Sequence, residues 1–374
     1  FFVGTFVGKQ QIVCNTCKPE AVNFSLFWSA YETLHQAYID KEGIDEQKLI
    51  YGAIEGMAKS LGDPYTSFFD PKQAKVFEQD LAGSFGGIGI EVASRKGQLI
   101  IVAPLKGTPG EKAGLKPGDS IVKIDGKITN DLSTDEAVSL IRGKKGTTVT
   151  LTIFREGWQT TKDFSIVRAT IKIDSINWEL KNGDVAIIYI HQFDQTLSAD
   201  FKKAAFEILQ SPAKKIIVDV RGNPGGYLQT AQDIAGWFLP NGHVVTIEDF
   251  GKDKARLEYR AEGNASFLNF PVVVLIDKGS ASASEILAGA LRDDRGIKLI
   301  GEKSFGKGSV QEIRELAGSE SFLKITIARW LTPKGSSISE VGLTPDVVVA
   351  GTLETKPDSD PQLDKALEII KGLK

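Results

Sequence analysis

Histidine and cysteine are scarce in this chain. Its 374 residues include only His35, His191 and His243, and two cysteines, Cys14 and Cys17. So few imidazoles and thiols severely restrict His-based catalysis and metal sites. The lone C-x-x-C lacks the second pair that a closed zinc site needs, so a local disulfide, a redox pair and two idle thiols all stay open. An excess of charge is missing too: Lys plus Arg is 45 against Asp plus Glu 48, a net charge of −3 with no global field to hold a polyanion. Nucleic acid is therefore not an expected partner. Residues 1–8 form an apolar run far shorter than the about 20 residues of a membrane span. The run reads as the remnant of a signal sequence or N-terminal anchor, predicting an extracytoplasmic protein, with a buried opening strand as the alternative. What is present, 41% hydrophobic and 25% charged residues, is a globular composition with room for two or three domains.

From Asn23 the residues Phe24, Phe27, Trp28, Tyr31 and Leu34 recur at helical spacing, and Leu49, Ala53, Met57 and Leu61 repeat the pattern. Two amphipathic helices are expected, ended by Gly62-Asp63-Pro64. A Gly-rich run from Gly83 opens a small, mostly-β stretch reaching to about Val167, with a turn at Lys116-Pro117-Gly118-Asp119, a strand over 120–124, a hairpin signal at Asp125-Gly126 and one helix over 134–141. Beyond Asp184, strands over 185–190, 216–220, 272–276 and 298–300 alternate with helical stretches near 199–209, 227–237 and 283–291. That alternation predicts a parallel sheet covered by helices, closed by a short helix after Asp360-Pro361.

Three strand-to-loop junctions carry candidate chemistry. Gly279-Ser280-Ala281-Ser282-Ala283-Ser284-Glu285 places serines at a helix start, where free backbone N–H groups can stabilise a developing oxyanion; routine helix capping is the alternative. Gly306-Lys307-Gly308 sets a lysine between two glycines, where close packing can bury the amine, and Gln311 follows four residues later. Such a lysine serves as a general base only if its pKa falls by roughly 3 units, which desolvation can supply. Residues 301–307 also match most of a P-loop, yet Gly308 stands where the Mg²⁺-binding hydroxyl belongs, and Ser304-Phe305-Gly306-Lys307 fits S-x-x-K without its S-D-N and K-T-G companions. The third junction, Arg221-Gly222-Asn223-Pro224-Gly225-Gly226, again offers backbone N–H groups at a strand's carboxyl end, where ligands bind in open α/β sheets; a tight structural turn explains it as well.

In order and interval these segments resemble the active-site segments of the carboxyl-terminal processing proteases, or tail-specific proteases, over roughly Asn23 to the C-terminus. Leu61-Gly62-Asp63-Pro64-Tyr65-Thr66 and Gly342-Leu343-Thr344-Pro345-Asp346 look like that family's flanking signatures. The resemblance implies an α/β protease core, a parallel-rich sheet with helices of the crotonase/Clp-protease kind, carrying an inserted PDZ domain and an N-terminal helical segment. It implies boundaries of 1–22 for a truncated signal or anchor and linker, 23–82 for the helical region, 83–168 for the PDZ domain and 169–374 for the core. The family's nucleophile is the middle serine of S-A-S-A-S and its base lies 25 residues on, which selects Ser282 and Lys307 (307 − 282 = 25). By the same carry-over Gln311 completes the triad, and the N–H groups of Ala283 and of Gly225 or Gly226 form the oxyanion hole.

Gly87-Ile88-Gly89-Ile90 fits the PDZ loop that captures a free C-terminal carboxylate, with a substrate tail adding to the strand beginning at Ile88. Arg142 resembles a position that couples PDZ domain to protease in some members; a cation favoured at a helix C-terminus is the simpler reading. The implied activity is a cofactor-free, metal-free serine endopeptidase acting on proteins with apolar C-termini, with a regulatory partner and a homodimer as further expectations. Two other readings are a PDZ-based adaptor whose α/β domain only scaffolds, and acyl-CoA chemistry on a similar core.

Overall fold

The computed structural model describes residues 23–373 apart from 82, 96, 131, 133, 173, 253 and 352–358, so the apolar run at 1–8 and Cys14 and Cys17 lie outside the described residues. The chain forms two compact units, Phe1–Ser60 and Leu61–Lys374. In the first, α1 (Ser25–Ala37) and α2 (Glu46–Lys59) form the two expected helices. Asp45 starts α2 by accepting the N–H groups of Gln47 and Lys48, the role of a side-chain N-cap. Glu46 takes hydrogen bonds from Tyr31 and His35, tying the two helices together. No helix among the described residues is long and apolar enough to cross a membrane.

The second unit begins at Leu61. β1 (Ser67–Phe69) pairs with a strand late in the chain, Phe322–Leu331, within the same unit. After α3 (Pro71–Leu81), the middle module contains β2 (Ser84–Gly87), β3 (Ile90–Arg95), β4 (Gln98–Pro104), α4 (Pro109–Lys112), β5 (Ser120–Ile124), β6 (Lys127–Ile128), α5 (Thr134–Ile141), β7 (Thr148–Phe154) and β8 (Lys162–Val167). Its sheet runs β3-β4-β5-β7-β8, with β6 paired to β5, over a core that includes Ile101, Ile121, Leu151 and Ile153. Asp125 and Gly126 both have positive φ, 48° and 81°, as a tight hairpin turn requires. The strand that would receive a tail begins at Ile90, and Ile88, two residues before it, is buried in the module's core. β9 (Ala169–Lys172) leaves the module and pairs antiparallel with β2, zipping the two connections to the core into one ribbon.

The core sheet has the order β10 (Ile176–Lys181), β11 (Val185–Ile190), β12 (Lys215–Asp219), β15 (Val272–Ile276), β16 (Lys298–Gly301) and β19 (Val347–Val348). From β11 onward every pair is parallel, and only β10 is antiparallel. α6 (Leu197–Gln210), α7 (Leu228–Phe238) and α8 (Ala283–Arg295) cover one face, against Ile188, Val218 and Val274. α9 (Pro361–Gly372) covers the other, where Ala366, Leu367 and Ile370 meet Ile187, Ile217 and Val273. Alternate residues of each strand thus go to opposite helical layers, which is why the strands read as unbroken apolar runs.

Arg221 fastens α9 by donating to both Asp360 oxygens at 2.8 Å. A second, antiparallel sheet of β1, β13 (Val244–Asp249), β14 (Leu257–Arg260), β17 (Ser309–Glu315) and β18 (Phe322–Leu331) flanks the core. It has no counterpart in the sequence expectation.

Candidate active site

β12, β15 and β16 lie side by side and parallel, so the three glycine-rich loops that follow them leave the sheet at one edge. In the loop after β15, Asp277 Oδ1 accepts the N–H groups of Gly222, Gly279 and Ser280 at 2.8, 2.9 and 3.1 Å, locking two of the loops together. The three serines then take different directions. Ser280 Oγ donates to the Val220 carbonyl at 2.8 Å and Ser284 Oγ to the Asn223 carbonyl at 3.0 Å, both side chains being wholly buried. Ser282 is half-buried and lines a cleft of about 450 Å³ that also contains Lys307, Gln311 and Gly226. Its φ of 56° falls in the left-handed region, which costs an L-residue of order 1 kcal/mol or more and is held by the surrounding bonds.

Gly225 and Gly226 are required by close approach. A Cβ on Gly225 (φ 96°) would stand 2.6 Å from the Ala281 carbonyl oxygen and 2.7 Å from Ser282 Cβ, and one on Gly226 (φ 145°) 2.1 Å from the Phe193 oxygen. The two N–H groups differ. Gly225 donates to Asn223 Oδ1 at 2.9 Å, whereas among the described residues the N–H groups of Gly226 and of Ala283, at the start of α8, have no acceptor.

Glu285 joins the serine and lysine loops. Its buried carboxylate accepts the Ser282 N–H at 2.9 Å, the Ser304 hydroxyl at 2.5 Å, the Gly306 N–H at 2.8 Å and the Lys307 N–H at 3.0 Å. Burial raises its pKa while these donors pull it back. The backbones of Ser282 and Lys307 are thus fixed by one group. Sequence reasoning passed over Glu285, although Ser282-Ala283-Ser284-Glu285 has the S-x-x-E spacing that places a carboxylate over the N–H groups of a helix start.

Burial lowers the pKa of Lys307, the direction a general base needs, and the negative charge of Glu285 opposes that shift. Tyr65, from the first flanking signature, sets its ring centroid 5.7 Å from Lys307 Nζ. The second signature buttresses the same loop, since Ser304 N–H donates to the Leu343 carbonyl and Leu343 N–H to Ser304 Oγ. Gln311 Nε2 donates to Ser309 Oγ at 2.6 Å and reaches Thr326 Oγ1 at 3.5 Å. Among the described residues no hydrogen bond joins Ser282 Oγ to Lys307 Nζ, although both side chains line the cleft.

The middle module carries a second concavity of about 320 Å³, between β3 and α5, whose lining includes Ile88, Ile90, Leu105, Val138, Ile141 and Arg142. The Ile88 carbonyl accepts the Gly110 N–H at 2.7 Å, and the Gly89 carbonyl accepts the Leu105 N–H and Thr108 hydroxyl, each at 2.9 Å. Since peptide C=O and N–H point oppositely, the N–H groups of Gly89 and Ile90 face away from those donors. β3 is also the last strand of its sheet, leaving an edge for an added strand. The Arg142 guanidinium lies 4.0 Å above the Phe85 ring.

The profile of peptidase family S41 matches residues 184–349, a PDZ domain profile matches 79–154, and that of the activating protease CtpB N-terminal domain matches 9–73. The carboxy-terminal processing protease CtpA of Bacillus subtilis is 40% identical over 85% of this chain and 67% of its own length. The chain belongs to the carboxy-terminal processing proteases. CtpB of the same organism is 38% identical, over 92% of this chain and 74% of its own length. A solved photosystem II D1 C-terminal processing protease superposes with a TM-score of 0.55 and 26% identity, over 87% of this chain and 92% of that one. As a member of the carboxy-terminal processing proteases the chain is a serine-type peptidase with a PDZ domain, and the adaptor and acyl-CoA readings fall.

Proposed function

We propose that Ser282 is the nucleophile, neutral Lys307 its general base, Gln311 the residue that orients the amine, and the N–H groups of Ala283 and Gly226 the oxyanion hole. The observation that carries this reading is the consumption of the two neighbouring hydroxyls, Ser280 and Ser284, in buried bonds while Ser282 lines the lysine's cleft. Lys307 takes the Ser282 proton as Oγ attacks the scissile carbonyl, then returns it to the leaving amine; water deacylates the ester by the same route reversed. A peptidyl diaryl phosphonate should phosphonylate Ser282, one phenol leaving as the P–O bond to Oγ forms, and neither flanking serine; label on Ser280 or Ser284 would overturn the assignment.

The PDZ groove supplies the substrate's address. Its apolar lining suits an apolar tail, and the Gly89 and Ile90 N–H groups suit a free carboxylate. We infer that Arg142 passes occupancy from groove to core, a reading supported by its position at the rim of that groove and over the Phe85 ring. Amidating an apolar-tailed substrate should raise KM and lower kcat, together about tenfold in kcat/KM, and R142A should remove the kcat part while leaving the KM part. Equal cleavage of both forms by the unaltered enzyme would remove tail capture.

A further inference from the structure

The active-site cleft holds one charged side chain that the chemistry above does not use. Lys324 lies on β18, paired with Ile313 of β17 on one side and with Ser67 of β1 on the other, and it lines the same cleft as Ser282 and Lys307. Its ammonium rests over two aromatic rings, 5.1 Å from the Phe69 centroid and 5.5 Å from that of Phe77. Those rings pack with Phe322, Phe69 stacked on it and Phe77 tilted against both, so Lys324 lies on a packed apolar floor.

Among the described residues Lys324 forms no ion pair. The carboxylate that faces it is Asp63, whose oxygens are occupied by the Tyr65 N–H at 3.0 Å and the Thr66 hydroxyl at 2.6 Å. The two basic residues lining the cleft are Lys307 and Lys324, and with Lys307 neutral in its catalytic form Lys324 supplies the positive charge, the rest of the lining being apolar or uncharged. Burial lowers the proton affinity of Lys324, and Lys307 adds to that only while it is protonated. A carboxylate brought into the cleft would give the half-desolvated ammonium the partner that water supplies at the surface, so the pair is less screened here than at an exposed lysine.

We propose that Lys324 is a specificity-determining residue that receives a substrate carboxylate beside the scissile bond, so that the enzyme favours cleavage sites flanked by an acidic group within an otherwise apolar sequence. The proposal rests on the cleft being the active site. The carboxylate has two sources, an aspartate or glutamate side chain near the scissile bond or the terminal carboxylate of a short chain, and the experiment separates them.

Peptides identical except for Asp, Asn or Lys at each position flanking the scissile bond are compared, each with a free and with an amidated terminus. At one side-chain position the unaltered enzyme should show kcat/KM about tenfold higher for Asp than for Asn, carried mainly by KM. K324M should bring that ratio near one, K324R should keep it, and K324E should favour Lys instead. A preference that follows the terminus and disappears in K324M assigns the pocket to the terminal carboxylate. No preference in the unaltered enzyme, or a ratio unchanged in K324M, overturns the proposal. If K324M does not fold, K324Q gives the same reading, and anisotropy of labelled Asp and Asn peptides on the S282A chain measures selection without turnover. Undiminished cleavage by S282A would refute the assignment of the nucleophile while leaving the Asp to Asn ratio measurable.

Discussion

Ser282→Ala or Lys307→Ala should each lower kcat/KM toward an apolar-tailed protein by about 10⁴-fold or more, with KM and the melting temperature nearly unchanged. The two losses should not add in the double variant, because hydroxyl and amine act as one unit in the attack. The pH profile supplies a second reading. Burial holds the Lys307 pKa below its ordinary value of about 10.4, so the rate of the unaltered enzyme should rise with pH and level off before the usual lysine range. Stability follows the same group. Between the lowered folded pKa and about 10.4 the unfolded chain binds more protons at this site, so the Lys307 contribution grows with pH, is complete above that range and is lost as pH falls through the folded pKa. Lys307→Met should remove that slope. Cleavage at full rate by either alanine variant would eliminate the pair as the catalytic machinery.

Glu285→Gln should have the second largest effect. Its carboxylate receives four donors from both loops, and an amide can accept on one oxygen only while turning two N–H bonds toward other donors. The buried donors left without partners should cost about 1–3 kcal/mol of stability, visible as a lower melting temperature. Loss of loop alignment should lower kcat by about 10²-fold with little change in KM. A purely structural role would stop there. Because the charge of Glu285 raises the Lys307 pKa, its removal should also move the acidic limb of the profile to lower pH. An unmoved limb would mean that Glu285 acts on geometry alone.

How far the sequence revealed this site depended on the range over which each signal acts. The buried strands and the helix at Thr134–Ile141 follow from local periodicity, and the structure forms them at the expected positions. The loops after β12, β15 and β16 were legible because glycine and serine at strand ends are local features too. That Ser280 and Ser284 are spent on the carbonyls of Val220 and Asn223 was not legible, since those partners lie 60 and 61 residues away. Glu285 was hidden for the same reason: read alone it is an acidic residue in the first turn of a helix, and its bonds to Ser304, Gly306 and Lys307 arise only when β15 and β16 align. The β17–β18 hairpin escaped notice because half-exposed strands mix polar and apolar residues, and with it went Lys324.

The ribbon of β2 and β9 has an evolutionary corollary. With both connections of the PDZ module held in one two-stranded stem, the module can be exchanged as a cassette without rethreading the catalytic sheet. A lineage can therefore acquire a new tail preference through changes confined to the cassette, while the serine, the lysine and the carboxylate that joins them stay as they are.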